Sequence, residues 1–284
     1  MKQIYFTKMS GAGNDFILFD SKLNPNLALN PDFISKICDR RNGIGADGVI
    51  FLEDEANSNF KMKYYNSDGS TGSLCANGAR CSLQYAYHTN RIGNNVVSFS
   101  ANGIEYQGQV LENELIQFFL KTPENLKTNF KIKAAKQLIT ASFVNTGSPH
   151  VVINIKDVLR DPNKLNSNTF TIDDFPVYDL GKEIRYSKDF APEGTNVNFI
   201  DFSDDVIKIR SYERGVENET LSCGTGSVAA AIISFLNKNL KPPIKLIAKS
   251  GDVLVVNFKY VDNQFMDLSL TGPAKIIFKG EITI

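Results

Sequence analysis

Two stretches of this chain repeat one device: a cysteine, a short small-residue loop containing glycine, and then a helical run. The first is Leu74-Cys75-Ala76-Asn77-Gly78-Ala79-Arg80-Cys81. The second, Ser222-Cys223-Gly224-Thr225-Gly226-Ser227-Val228-Ala229-Ala230-Ala231, follows 148 positions later. From Val228 to Leu236 the second run is apolar nearly all round, and a helix with no polar face has to be buried on every side. A fold that encloses such a helix needs a sheet curled around it. With Cys75 laid on Cys223, Gly103 and Gly251 each fall 28 residues downstream, each in a turn between two strand-like runs. Upstream, the runs 60–66 and 206–213 match in the same way, and Asn14–Phe16 corresponds roughly to Asn196–Phe199.

A repeat of this size is a domain rather than a solenoid unit. The remaining runs are short, β-branched and aromatic-rich, with turn residues between them, so they read as mainly antiparallel strands. Asn102-Gly103 marks a hairpin, Pro31–Asp39 a short helix and Ala76–His88 a helix of about 13 residues. The expected fold is α+β, with two similar domains. Each is a curled, barrel-like sheet around a central buried helix, with an active site in the cleft between them. The polar segment Lys121–Lys127 reads as the crossing. This gives one domain of residues 1–120 plus 271–284 carrying Cys75, and another of 121–270 carrying Cys223. Residues 157–195 read as irregular, apart from a helix near Tyr178–Glu183.

Composition narrows the function by exclusion. Lys+Arg and Asp+Glu are both 31, so no basic footprint points to nucleic acid or anionic lipid. No apolar run reaches the length of a membrane span. The N-terminus enters a strand-like run without signal-peptide grammar, which leads us to expect a cytoplasmic protein with its four cysteines reduced. Two histidines and no Cys-x-x-Cys argue against zinc.

A thiol at a helix start gains from the positive end of the helix dipole, which favours thiolate, and from free N–H groups that bind a carboxylate. Two such thiols facing one small carboxylate could remove a proton on one face and return it on the other. That is two-base racemase or epimerase chemistry, with no metal or pyridoxal. A lone cysteine is as often an inert packing group, and we assign that role to Cys38 and Cys81. A hydrolase pairing a cysteine with His150 would leave the second cysteine loop without a role. Glu213-Arg214 at a strand end could take an ammonium and a carboxylate, although such a pair is commonly only a surface ion pair. Asn14, Asn66, Asn77 and Asn196 suit polar turns, and also a zwitterionic ligand.

Taken together and in order, Lys8-Met9-Ser10-Gly11-Ala12-Gly13-Asn14-Asp15-Phe16, Asn66-Ser67-Asp68-Gly69-Ser70, Cys75-Ala76-Asn77-Gly78, Gly147-Ser148-Pro149-His150, Glu213-Arg214-Gly215, Cys223-Gly224-Thr225-Gly226 and Leu270-Thr271-Gly272-Pro273-Ala274 resemble the diaminopimelate epimerase family. The resemblance runs from about residue 4 to 280. It implies cofactor-independent interconversion of LL- and meso-diaminopimelate, on the route to lysine and peptidoglycan, with Cys75 and Cys223 as the acid/base pair. It further implies substrate binding by Asn14, Asn66, Ala76, Asn77, Asn196, Glu213, Arg214, Gly224 and Thr225, support from His150, and a homodimer whose domains close on the substrate. Ala76 stands where many members have glycine, Ser148 where many have asparagine, and Gly48 where some have glutamine. A proline or hydroxyproline racemase, a phenazine-type isomerase of the same fold, and a non-catalytic amino-acid-binding protein are the alternatives.

Overall fold

A computed structural model describes residues 3–72, 74–164, 170–203 and 206–283. In chain order the first elements are β1 (Gln3–Gly11), β2 (Asn14–Asp20), α1 (Pro31–Cys38), β3 (Gly48–Glu53), β4 (Lys61–Asn66), α2 (Ala76–His88), β5 (Val97–Ala101), β6 (Ile104–Val110) and β7 (Ile116–Phe119). Then come β8 (Glu124–Ala134), β9 (Gln137–Asn145), β10 (Pro149–Asn154), α3 (Val177–Arg185), β11 (Asn196–Ser203), β12 (Val206–Glu213) and β13 (Asn218–Thr220). The chain ends with α4 (Gly224–Lys238), β14 (Ile244–Ile247), β15 (Val253–Val261), β16 (Gln264–Gly272) and β17 (Lys275–Thr283). It divides into two compact units, one of residues 1–119 with 271–284 and one of 120–270.

The units repeat each other strand for strand. In the first, the order β17-β1-β2-β3-β4-β5-β6 is joined antiparallel, antiparallel, parallel, antiparallel, parallel, antiparallel. In the second, β8-β9-β10-β11-β12-β14-β15 follows the same sequence of pairings. The mixed sheet of each unit curls without closing around one helix. Helix α2 packs on β1, β2, β3, β4, β6, β7 and β17, and α4 on β9, β10, β11, β12, β14 and β15. Residues Ala76–Ala86 of α2 and Gly224–Ser234 of α4 are buried. Burying a Val or Ile side chain contributes about 1.5–3 kcal/mol, so the buried Val228, Ile232 and Ile233 are a main attachment of α4 to its unit. Phe235 continues the packing into a ring cluster with Phe258, Tyr260 and Phe265.

This topology corrects one detail of the sequence repeat. Phe16 pairs in parallel with Gly48, and His150 pairs in parallel with Asn196. The counterpart of β2 is therefore β10, and Asn196 on β11 answers to Gly48 on β3 rather than to Asn14. Loop lengths differ between the units, so linear spacing misaligned these strands. The sequence also missed β8, whose first residues lie within the supposed crossing Lys121–Lys127. Most of β8 is exposed, and its pairing with β9 is shifted near Asn125 and Asn129, both at positive φ. Those bulges break the period-two pattern by which a strand is read.

Two cysteine loops as a candidate active site

In the first unit, a tight turn through Ala12 (φ 56°) and Gly13 (φ 88°) joins β1 to β2 and delivers Asn14 to the start of β2. Gly11, just before the turn, has no side chain for a reason of packing. A Cβ there would stand 2.8 Å from the Asn77 carbonyl oxygen and 3.2 Å from Cys81 Sγ, so only glycine lets the hairpin lie against the first turn of α2. That approach brings Asn14 Oδ1 to 3.7 Å from Cys75 Sγ. Cys75 is the N-cap of α2, and its sulfur accepts from the Gly78 N–H at 3.5 Å.

Behind the sulfur runs a line of amides. Arg80 Nη2 donates to Asn77 Oδ1 at 2.8 Å, Asn77 Nδ2 to Asn14 Oδ1 at 3.3 Å, and Asn14 Nδ2 to Asp47 Oδ2 at 2.5 Å. Asp47 also accepts from Arg40 Nη2 at 2.8 Å and from the Asp15 N–H at 3.1 Å. Burial pushes the Asp47 carboxyl above the usual range, with the charge of Asp15 adding to it. Burial would raise Asp15 as well, but bonds from Arg40 and Lys8 outweigh it and hold Asp15 down to about 2. Asn66 ends β4, and its amide donates to Ser70 Oγ at 3.0 Å, within the turn that follows.

In the second unit, Cys223 caps α4 and is 6% exposed. Gly226 repeats the role of Gly11. A Cβ there would overlap Asn198 Oδ1 and stand 3.0 Å from Cys223 Sγ. Thr225 Oγ1 lies 3.8 Å from the sulfur and 2.9 Å from His150 Nε2. Ser148 Oγ is also 2.9 Å from that nitrogen and 3.3 Å from Thr225 Oγ1. The other ring nitrogen, Nδ1, is 3.1 Å from Asn198 Nδ2, and the same amide donates to the Val151 carbonyl at 3.0 Å. Burial, with the Arg214 charge added, pushes the imidazole down to about 3, so His150 is neutral at pH 7. Thr146 Oγ1 donates to the Thr225 carbonyl and ties β9 to the helix start.

Asn196 donates to the Pro149 carbonyl at 2.9 Å and accepts from the Arg214 N–H at 2.9 Å, which fixes the corner after β12. Glu213 accepts from Thr220 Oγ1 across the β12–β13 ladder. Ala76 in α2, and Gly224 and Thr225 in α4, open their helices, where the first backbone N–H groups have no partner within the helix.

The structure thus joins Asn14, Asn77 and Cys75 in one cluster, and His150, Thr225 and Cys223 in another, while the Asn66 amide donates within its own turn. Three participants escaped the sequence reading. Asp47 lay in Gly45-Ala46-Asp47-Gly48, read only as turn punctuation. Arg80 was given no role in the sequence reading, yet it is fully buried. Asn198 was legible in principle, since Asn196 and Asn198 are two apart and share a face of β11. Ser148 is a working member of the histidine cluster. Gly48 has no room for a longer residue, because a Cβ would meet the Tyr65 carbonyl at 2.6 Å and the Tyr64 ring at 2.7 Å.

A sequence model of the family described as "Diaminopimelate epimerase" matches residues 6–115 and 142–277. A protein named diaminopimelate epimerase from Chlorobaculum tepidum is 37% identical, over 97% of this chain and 100% of its own length. One of that name from Aquifex aeolicus is 35% identical, over 98% of this chain and 97% of its own. Among solved structures, a phenazine biosynthesis protein of the PhzF family from Bacillus anthracis superposes with a TM-score of 0.73, at 13% identity over 100% of both chains. A hydroxyproline epimerase from Agrobacterium vitis superposes at 0.70, at 11% identity over 99% of this chain and 92% of that one. At such identities the last two speak for the fold alone.

Proposed function

Because the chain belongs to the diaminopimelate epimerase family, we propose that it interconverts LL- and meso-diaminopimelate, with Cys75 and Cys223 acting on opposite faces of the α-carbon. One sulfur, as thiolate, takes the α-hydrogen as a proton. The electron pair of the broken C–H bond stays on carbon and spreads into the carboxylate. The opposite thiol gives its proton to the other face. The two sulfurs exchange protonation states, and the reaction balances with no further reactant.

The observation that carries this reading is that both sulfurs sit at helix N-termini. There the dipole and the first backbone N–H groups of α2 and α4, at Ala76, Asn77, Gly224 and Thr225, stabilise a thiolate and a carboxylate whose charge grows in the transition state. Asn14, Asn66, Asn196, Glu213 and Arg214 would hold the second, zwitterionic end of the substrate. The setting is a reducing cytoplasm, with none of the four cysteines in a disulfide, and the assembly is a homodimer. Among the described residues no helix is long and apolar enough to cross a membrane.

The test is isotope exchange. Purified protein with reductant in D₂O should wash deuterium into the α-position of diaminopimelate as it inverts that centre, and Cys75→Ala should abolish exchange with inversion. Exchange that persists unchanged in that variant would sink the two-base reading. The shared fold with a hydroxyproline epimerase motivates the second reading, a proline-type racemase, and proline offered beside diaminopimelate separates the two. A binding protein would hold ligand tightly without exchange.

A further inference from the structure

Both cysteines stand at helix N-cap positions, Cys75 accepting from the Gly78 N–H and Cys223 without a side-chain cap bond, and the side chains beside the two sulfurs are of opposite kinds. At Cys75 the direction of the bonds along the amide line is set from its two ends. The Arg80 guanidinium can only donate, so the Asn77 oxygen faces it and the Asn77 NH₂ faces Asn14. The Asp47 carboxylate, which accepts from Arg40, Asp15 and Asn14, requires the Asn14 NH₂. Asn14 Oδ1 is left facing Cys75 Sγ at 3.7 Å. An S–H can donate to that oxygen while accepting from Gly78 N–H. A thiolate cannot donate, and the carbonyl dipole repels it.

At Cys223 the direction is reversed. The Asn198 oxygen accepts from Ser211 Oγ at 2.8 Å, and its NH₂ serves the Val151 carbonyl and His150 Nδ1. Nδ1 is therefore the acceptor and Nε2 carries the ring proton. Thr225 Oγ1, 2.9 Å from Nε2, accepts it and can turn its own proton to Cys223 Sγ at 3.8 Å. This sulfur faces a donor.

We infer that the substrate-free protein carries its thiolate on Cys223 and its thiol on Cys75, and that Asp47 and Asn198 are positioning residues that hold these two states. The inference rests on the two-base reading and assigns its starting point. From rest, Cys223 is the sulfur that takes a proton and Cys75 the one that gives it, after which the states are exchanged.

The charges around each sulfur are compatible with this. About the first cluster stand Arg80 on α2, Lys8 on β1, Asp15 on β2, and Arg40 and Asp47 between α1 and β3. Arg80 pulls toward thiolate, but its guanidinium is directed at Asn77 Oδ1 and the Ala76 carbonyl, and Asp47 and Asp15 oppose it. The neighbouring Cys81 thiol is pushed up by burial and stays protonated. About the second cluster, the first turn of α4 carries no acidic residue, His150 on β10 is neutral, and Glu213 and Arg214 lie at the end of β12.

Alkylation reads this directly, because only the thiolate reacts. Full-length, substrate-free protein is treated with limiting iodoacetamide from pH 5 to 10, and the rate at each cysteine is followed by peptide mass spectrometry. Cys223 should inflect at least about one pH unit below Cys75, roughly a tenfold difference in thiolate fraction at equal pH, although Cys75 is the more exposed. Asp47→Ala should lower the Cys75 inflection and leave that of Cys223 in place. Asn198→Leu should raise the Cys223 inflection and leave that of Cys75. Coincident inflections in the wild type, or a lower one at Cys75, overturn the assignment even if neither variant folds. Deuterium exchange on the same preparation keeps the two ideas apart: coincident inflections with exchange intact sink only the assignment, and separated inflections without exchange sink only the epimerase.

Discussion

His150 and Asn198 are joined by a 3.1 Å hydrogen bond in which the asparagine amide donates to ring Nδ1. One amide thereby decides the tautomer of a fully buried imidazole, and with it the direction of the bonds through Thr225 toward Cys223.

The first prediction concerns that ring. His150, held down to about 3, should not titrate between pH 5 and 8 by NMR. Unfolded, it titrates near 6.5, so the unfolded chain binds more protons between about 6.5 and 3. Stability should fall as pH drops through that window, by at most about 1.4 kcal/mol per unit from this group. Asp15 adds its own loss only lower, between 3.8 and about 2. Urea unfolding of wild type and His150→Gln at pH 7 and 5 should show a smaller acid penalty in the variant. Equal penalties would mean that the ring is not the group responsible.

Thr225→Val keeps the shape of the helix start but removes the hydroxyl between His150 and Cys223. A hydrogen bond to a charged group is worth about 1.5–3 kcal/mol, so kcat should fall roughly 10- to 100-fold with little change in KM. Ser148→Ala removes only one of the two oxygens at His150 Nε2, and its effect should stay below about tenfold. Steady-state assays of the two variants decide this, and the reverse ranking would contradict the route through Thr225.

Gly226→Ala should damage the second cluster specifically. The new methyl would overlap Asn198 Oδ1 and press on Cys223 Sγ at 3.0 Å. Overpacking of this kind costs about 1–3 kcal/mol, and here it displaces the Cys223 sulfur as well. Activity should fall well beyond what the lost stability explains at a temperature where the variant remains folded. Circular dichroism melting beside the exchange assay separates the two effects.

If both sulfurs address one carbon, oxidation of substrate-free protein in air should cross-link Cys75 to Cys223 and stop activity, with recovery in dithiol. Peptide mapping locates the bond. Finding Cys38 or Cys81 in it would count against the arrangement, since burial holds the Cys38 thiol up at about 12 and that of Cys81 higher still.

Much of this protein is legible along the chain. The apolar run 228–236 demands enclosure wherever it is placed, and α2 and α4 open directly after Cys75 and Cys223, because caps and periodicity are local properties. The order of motifs sufficed to suggest the family. What the linear spacing could not carry is which strand stands for which: β2 answers to β10 and β3 to β11, a relation defined by pairing across the sheet. Asp47, Arg80 and Asn198 were hidden for the same reason. Asp47 reaches Asn14 and Asn198 reaches His150 across long stretches of chain, and Arg80, though near Cys75 in sequence, joins them through hydrogen bonds whose direction depends on which neighbour can only donate and which can only accept. The sequence by itself determined that two thiols would sit at two helix starts, since that follows from local pattern. Only the tertiary structure decided what each thiol faces, a carbonyl oxygen at Cys75 and a hydroxyl at Cys223, because hydrogen-bond polarity is set by contacts between distant residues.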